Sequence, residues 1–253
     1  MKVKHLWFIT IIVICAISTS AYAGWNFGLG TGPTLMAIEG DIGLDSTLAG
    51  GPVDLNLDED ASDMSDLIDS AFGFSSYATD GKWMFQLSFA QLNLEGDAFT
   101  NNPNIWGHVD FDVTVFELTA EYPIYKNNGL NLNLLGGVRY TKHELKRTLH
   151  VGAFEQGREL DNNWTDGVIG LSLDVPIYTN WSWNTSLNAG YGGSEGCYTV
   201  KTGVTWRFYK GWSSTLFYKY AANEFEEESR GNADWYLYDI DEQYFGLAIL
   251  YNW

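Results

Sequence analysis

The chain ends on Tyr244-Phe-Gly-Leu-Ala-Ile-Leu-Tyr-Asn-Trp253, with large apolar side chains at Phe245, Leu247, Ile249, Tyr251 and Trp253 and mostly small or polar ones between them. Successive residues of a strand point to opposite faces, so this decapeptide has one greasy face and one small or polar face. A strand that crosses a bilayer in a closed barrel needs that pattern, because one face meets lipid and the other a polar lumen. The alternating terminal strand with its last aromatic is also the expected signal for the barrel-insertion machinery. The segment reads as a bacterial outer-membrane strand.

The start of the chain agrees. Residues 1–23 run from a basic start (Lys2, Lys4) through an apolar stretch to Ala21-Tyr-Ala23, the form of a secretory signal peptide. The expected mature domain is 24–253, in the bacterial outer membrane. No other stretch approaches a transmembrane helix, so the membrane must be crossed by a closed sheet. Loss of Lys2 and Lys4 leaves 12 basic residues against 32 acidic ones, a net charge of −20 (12 − 32). That charge excludes nucleic acid as a partner. The expected partners are outer-membrane lipid and lipopolysaccharide, and the expected state is a monomer. Only Cys197 survives cleavage, so no internal disulfide can form.

Short turns alternate with long acidic connections. The short set is Thr79-Asp-Gly-Lys82, Tyr125-Lys-Asn-Asn-Gly129, Tyr178-Thr-Asn-Trp181 and Tyr209-Lys-Gly-Trp212. Asp80-Gly81 is a strong hairpin signal. Short turns belong on the periplasmic side, which puts both termini there. Aromatics including Trp25, Trp83, Tyr125, Trp181, Trp212 and Trp253 crowd the same end as an interfacial girdle. Strands are expected near 25–38, 71–79, 83–95, 108–123, 130–143, 164–178, 181–191, 197–209, 213–223 and 243–253. The expected fold is all-β: a transmembrane antiparallel up-and-down barrel of about ten strands, with eight or twelve as alternatives. Parity assigns Leu130, Leu132, Leu134, Val138 and Tyr140, and Ile169, Leu171, Leu173, Val175 and Ile177, to the lipid face.

The first long loop, about 39–70, is expected to hold one short helix from Asp63 to about Ser70. Ser62 could cap it, and Met64, Leu67, Ile68, Ala71 and Phe72 form one apolar stripe. A helix this short is marginal alone, so the stripe should bury against the barrel and plug or cap its mouth.

Several stretches resemble the small porin-like outer-membrane β-barrels of Gram-negative bacteria. They are Gly32-Pro-Thr-Leu-Met-Ala-Ile-Glu-Gly-Asp-Ile-Gly43, Val53-Asp-Leu-Asn-Leu57 with Ser65-Asp-Leu-Ile-Asp69, Gly81-Lys-Trp-Met-Phe85, Leu134-Leu-Gly-Gly-Val-Arg-Tyr140 and Asp166-Gly-Val-Ile-Gly-Leu171. The resemblance implies a barrel and brings no substrate or catalytic residues with it.

Inward parity collects Glu117, Glu121, Arg139, Asp174, Lys201, Arg207 and Lys219. One reading is a lattice that fills and stiffens a narrow lumen. The other is a charged eyelet selecting small solutes. The protein is thus expected to be a structural barrel or a narrow small-solute channel with a partly plugged lumen, and not an enzyme.

Two further constellations carry weaker signals. Asp54-x-Asn56-x-Asp58 begins like a calcium loop, but Glu59 replaces the turn glycine and Ser65 the final glutamate. No cofactor is therefore expected, beyond weak Ca²⁺ or Mg²⁺ at the acidic loops. If 108–123 pairs with 130–143, Asp110 falls roughly opposite His143 near the outer rim. The apolar parity shifts between Val113 and Phe116, which suggests a bulge turning His108, Asp110 and Asp112 inward. An Asp/His pair there could activate water, giving a rim-located hydrolase as the alternative.

Overall fold

The computed structural model describes residues 24–46, 51–99, 105–151, 154–232 and 234–253. The expected signal peptide, 1–23, lies outside the described residues. The elements are β1 (Asn26–Thr31), β2 (Thr34–Ser46), β3 (Gly51–Glu59), α1 (Ala61–Leu67), β4 (Ile68–Thr79), β5 (Met84–Phe99), β6 (Ile105–Asn127), β7 (Leu130–Val151), β8 (Phe154–Tyr178), β9 (Trp181–Gly192), β10 (Gly196–Tyr209), β11 (Trp212–Glu227) and β12 (Tyr236–Asn252). All neighbours are antiparallel, and β4 through β12 follow one another around the wall. Pairing of β1 with both β4 and β12 closes a ten-strand barrel. Backbone bonds from Phe27 to the Trp253 carbonyl (3.1 Å) and from Trp253 back to Phe27 (3.0 Å) extend this seam to the last residue.

The first wall strand changes neighbours halfway. After Gly32-Pro33 it continues along β12 as β2 (Thr34↔Gly246 to Leu44↔Tyr236), but its other edge leaves β4 and takes β3. Pro33 has no N–H to offer a neighbour. Gly32 lies so close to the Leu247 carbonyl that an added Cβ would stand 1.9 Å from it. Helix α1 packs beside the opening, touching β2, β3, β4 and β5, with Met64 fully buried.

The strands are far longer than a bilayer needs. β6, β7 and β8 have 23, 22 and 25 residues, against about 9–11 for a transmembrane strand. The apolar parity shows where the excess lies. Toward the short turns the exposed outer face is Phe85, Phe116, Leu118, Leu134, Val138, Ile169, Leu171, Leu216, Phe245 and Leu247. Toward the long loops the large apolar residues move indoors: Ile42, Leu44, Phe111, Leu145, Trp164, Phe225, Tyr236, Tyr238 and Ile240 form one buried cluster. The outer face there is charged, with Lys142 pairing Glu144 and Asp161 (3.1 Å to Asp161) and with exposed Glu39, Lys146, Glu224 and Asp239. An apolar exterior suits lipid and a charged exterior suits water, so the inversion marks the membrane boundary.

The structure departs from the sequence pattern at several points. The register of β6 with β7 is unbroken from Ile105↔Val151 to Pro123↔Asn133, so there is no bulge between Val113 and Phe116. The parity shift is the membrane boundary itself. Strict alternation then keeps His108, Asp110 and Asp112 on the outer face. Most of the expected long loops are strand: β5 reaches Phe99, β7 reaches Val151, and β2 with β3 forms a hairpin inside the first one. Their outward charges disguised them as loop. The helix begins earlier than expected, because the Asp60 carboxylate caps it by accepting from the N–H groups of Ser62 (2.7 Å) and Asp63 (3.1 Å). The Ser62 hydroxyl donates to the same carboxylate (2.6 Å) and, with those two N–H bonds, holds the Asp60 carboxyl below its ordinary pKa. The helix ends at Leu67, since pairing with β5 takes over at Ile68↔Leu94. Ala71 and Phe72 are consequently strand residues, and Phe72 is exposed.

Candidate functional site

Inside the membrane portion, the inward side chains form a hydrogen-bonded lattice. Arg139 donates Nε to Glu117 Oε2 (2.6 Å), NH1 to Cys197 Sγ (3.3 Å), and NH2 to Asn188 (3.3 Å) and Thr199 (3.1 Å). Arg139 thus spans the lumen from β7 to β10. Nearer the short turns, Glu121 accepts from Gln86 Nε2 (2.6 Å), Asn133 Nδ2 (3.2 Å) and the Ser172 hydroxyl. Asp174 accepts from Asn184, whose carbonyl accepts from Thr205 (2.8 Å). Buried polar groups are satisfied in this way at little net cost. Arg207 is exposed toward the short turns, opposite Ser213.

Lys201 and Lys219 are directly opposed on β10 and β11. Their ammonium groups sit over aromatic rings, Lys201 4.8 Å from the centre of Phe217 and Lys219 4.5 Å from that of Tyr244. Neither makes an ion pair among the described residues. Lys201 faces inward and is nevertheless exposed, so the middle of the lumen holds water-accessible space.

Above this chamber a buried aromatic cluster occupies the lumen. Trp164 stacks on Phe225 with ring centres 4.0 Å apart and planes 10° apart. His143 is fully enclosed, its ring 4.5 Å from Tyr238, 4.7 Å from Trp164 and 5.0 Å from Phe111. Nδ1 of His143 lies 2.8 Å from the Tyr236 hydroxyl. Burial among these rings pushes the imidazole pKa down to about 3, so His143 is neutral. The same burial raises the phenols of Tyr236 and Tyr238 well above their ordinary value.

The expected Asp110/His143 pair does not form. His143 is opposite Val113 and points into the core, while Asp110 is opposite Lys146 on the outer face. A three-residue offset along antiparallel strands puts the two side chains on different sides of the wall. Asp54, Asn56 and Asp58 also fail to converge, because they lie on β3 in extended backbone. Alternate strand residues stand about 6.6 Å apart. Asp54 instead pairs with Arg230 (2.5 Å), and Asn56 donates to Asp41 (3.1 Å).

The remaining expected residues have clear places. Met64 is buried, Leu67 abuts Gly96, and Ile68 closes α1. Phe245, Leu247, Ile249 and Tyr251 face outward and exposed, and Trp253 stacks on Phe27 with centres 6.0 Å apart. Two inward acids were missed. Asp166, fully buried, accepts from the N–H groups of Gly193 (3.0 Å) and Ser194 (2.9 Å); its parity with Ser172 and Asp174 already marked it. Glu242 accepts from Tyr238 (2.9 Å) and Tyr244 (2.8 Å), one residue before the expected start of its strand.

No family model and no curated protein matches the sequence. Solved structures do match the fold. The outer membrane protease OmpT from Escherichia coli aligns over 93% of this chain and 99% of its own at 7% identity and a TM-score of 0.52. The translocator domain of the autotransporter NalP from Neisseria meningitidis aligns over 98% and 95% at 12% identity and a TM-score of 0.49. The likeness to OmpT, at such identity, is a likeness of fold alone, that of an outer-membrane barrel.

Proposed function

We propose that this outer-membrane β-barrel works with its lumen shut, as a structural, non-conducting and non-enzymatic barrel whose rigid acidic collar projects outside the cell. Both termini then lie in the periplasm, on the side of the short turns. One observation carries the reading: a cluster of buried apolar side chains around Trp164 and Phe225, with His143 enclosed among its rings, occupies the long-loop half of the lumen. Opening it would expose a whole aromatic cluster, each large side chain of which contributes roughly 1.5–3 kcal/mol by burial. Catalysis finds no support, because the Asp110/His143 pair is divided by the barrel wall.

Single-channel recording tests the reading. Wild-type protein in a planar bilayer should be silent, and Trp164→Ala combined with Phe225→Ala should conduct. Steady conductance of the wild type, with ion selectivity reversed by Lys201→Glu and Lys219→Glu, would instead establish the narrow channel. Orientation is tested separately in intact cells, where a membrane-impermeant thiol reagent should label Glu159→Cys and leave Asp80→Cys unlabelled.

A further inference from the structure

Where the collar meets α1, three donors converge on the outer face. Glu95 and Asp110 are direct cross-strand partners on β5 and β6, and His108 stands two residues from Asp110, on the same face. His108 Nε2 is 3.4 Å from Glu95 Oε1 and 3.7 Å from Asp110 Oδ1. One ligand atom from each residue lies within 4.8 Å of the others. A tetrahedral ion with bonds of about 2.0–2.1 Å holds its ligand atoms about 3.3–3.4 Å apart, close to the two measured separations. Directly opposed carboxylates repel, and a dication between them turns that repulsion into attraction.

The donor types narrow the ion. Calcium and magnesium take oxygen ligands, six or more in number, whereas one imidazole with two carboxylates suits zinc and similar transition ions. Three protein ligands leave one position open. An open surface depression of about 380 Å³ adjoins the cluster, lined by Glu95 and His108 together with Asp66, Leu67, Ile68, Asp69 and Gly96. It offers room for a water molecule or for a carboxylate from the α1–β4 junction as the fourth ligand.

We propose that Glu95, His108 and Asp110 form a divalent transition-metal site, best suited to zinc, that fastens the β5–β6 rim beside the end of α1. It does not depend on the closed-lumen reading, since all three donors are on the outer face. Calorimetric titration of the refolded protein in lipid vesicles tests it. Zinc should bind once per chain, with magnesium and calcium unable to displace it. Co²⁺ should show the visible absorption of a tetrahedral complex. Glu95→Gln and His108→Ala should each weaken zinc binding by about tenfold or more, while Glu224→Gln and Asp239→Asn elsewhere on the collar leave it unchanged. Heat-modifiable migration in gels verifies that each variant is folded. The proposal is overturned if zinc fails to bind folded wild-type protein, if it binds as well without His108, or if the collar variants weaken it equally.

Discussion

The barrel joins two halves built by opposite rules on the same strands. Around Leu134, Ile169 and Leu171 the apolar face is outside and the interior is the lattice of Arg139, Glu117 and Glu121. A few residues along the same strands, Leu145 and Trp164 are inside and Lys146 and Asp161 outside. The solvent outside the wall makes the difference. Lipid accepts no unpaired polar group, so polarity retreats to the lumen; water rewards burial, so the apolar residues take the lumen instead. The same lumen thus holds a charged lattice in one half and a hydrophobic core in the other, so a run of inward charges is not by itself the mark of a pore.

The strongest way to break this contrast is to put one substitution in both halves. Leu145→Arg, an unpaired charge in the buried core, should cost more than about 4 kcal/mol. Lys146→Leu on the adjacent outer position should stay within about 0.5 kcal/mol. Leu171→Arg, facing lipid near mid-membrane, should cost ~2–4 kcal/mol. Urea unfolding from lipid vesicles measures all three. Equal losses at 145 and 146 would mean that the loop half has no inside.

A smaller effect tests the core by pH. His143 titrates near 6.5 when unfolded and near 3 when folded, so the unfolded chain binds the extra proton. Its contribution is fully present above about pH 6.5 and is lost as pH falls toward 3; at pH 5 the loss is about 2 kcal/mol. Wild type should therefore lose more stability than His143→Leu between pH 7 and pH 5, followed by tryptophan emission. Parallel pH profiles would show His143 to be in contact with water.

The smallest effect belongs to α1. Asp60→Ala removes the α1 cap and should speed proteolysis near residues 60–67 without changing the melting of the barrel. If melting shifts as much as with Leu171→Arg, α1 is integral to the wall rather than a filler beside it.

Much of the membrane half was legible because its signal is local. Parity alone assigned Leu171 outward and Ser172 inward, and the short turns at Asp80-Gly81 and Asn128-Gly129 fixed the strand order. The collar was legible only in part. Its strands carry acids and lysines on their outer face, so β2, β3 and the ends of β7 and β8 looked like charged loop. The inverted parity at Val113–Phe116 was visible, and a bulge was the local explanation for it; the membrane edge is the explanation on the scale of the whole barrel.

By itself, then, the sequence determined an all-β barrel closed by an aromatic-ended strand, with the faces of its membrane residues. A period of two needs only the neighbouring residues and the solvent they meet. The tertiary structure decided how far the wall stands above the membrane, that Asp110 and His143 lie on opposite sides of it, and that Trp164 meets Phe225 in a core inside the barrel. Those outcomes depend on register between strands distant in sequence, where a shift of one residue moves every side chain to the other face.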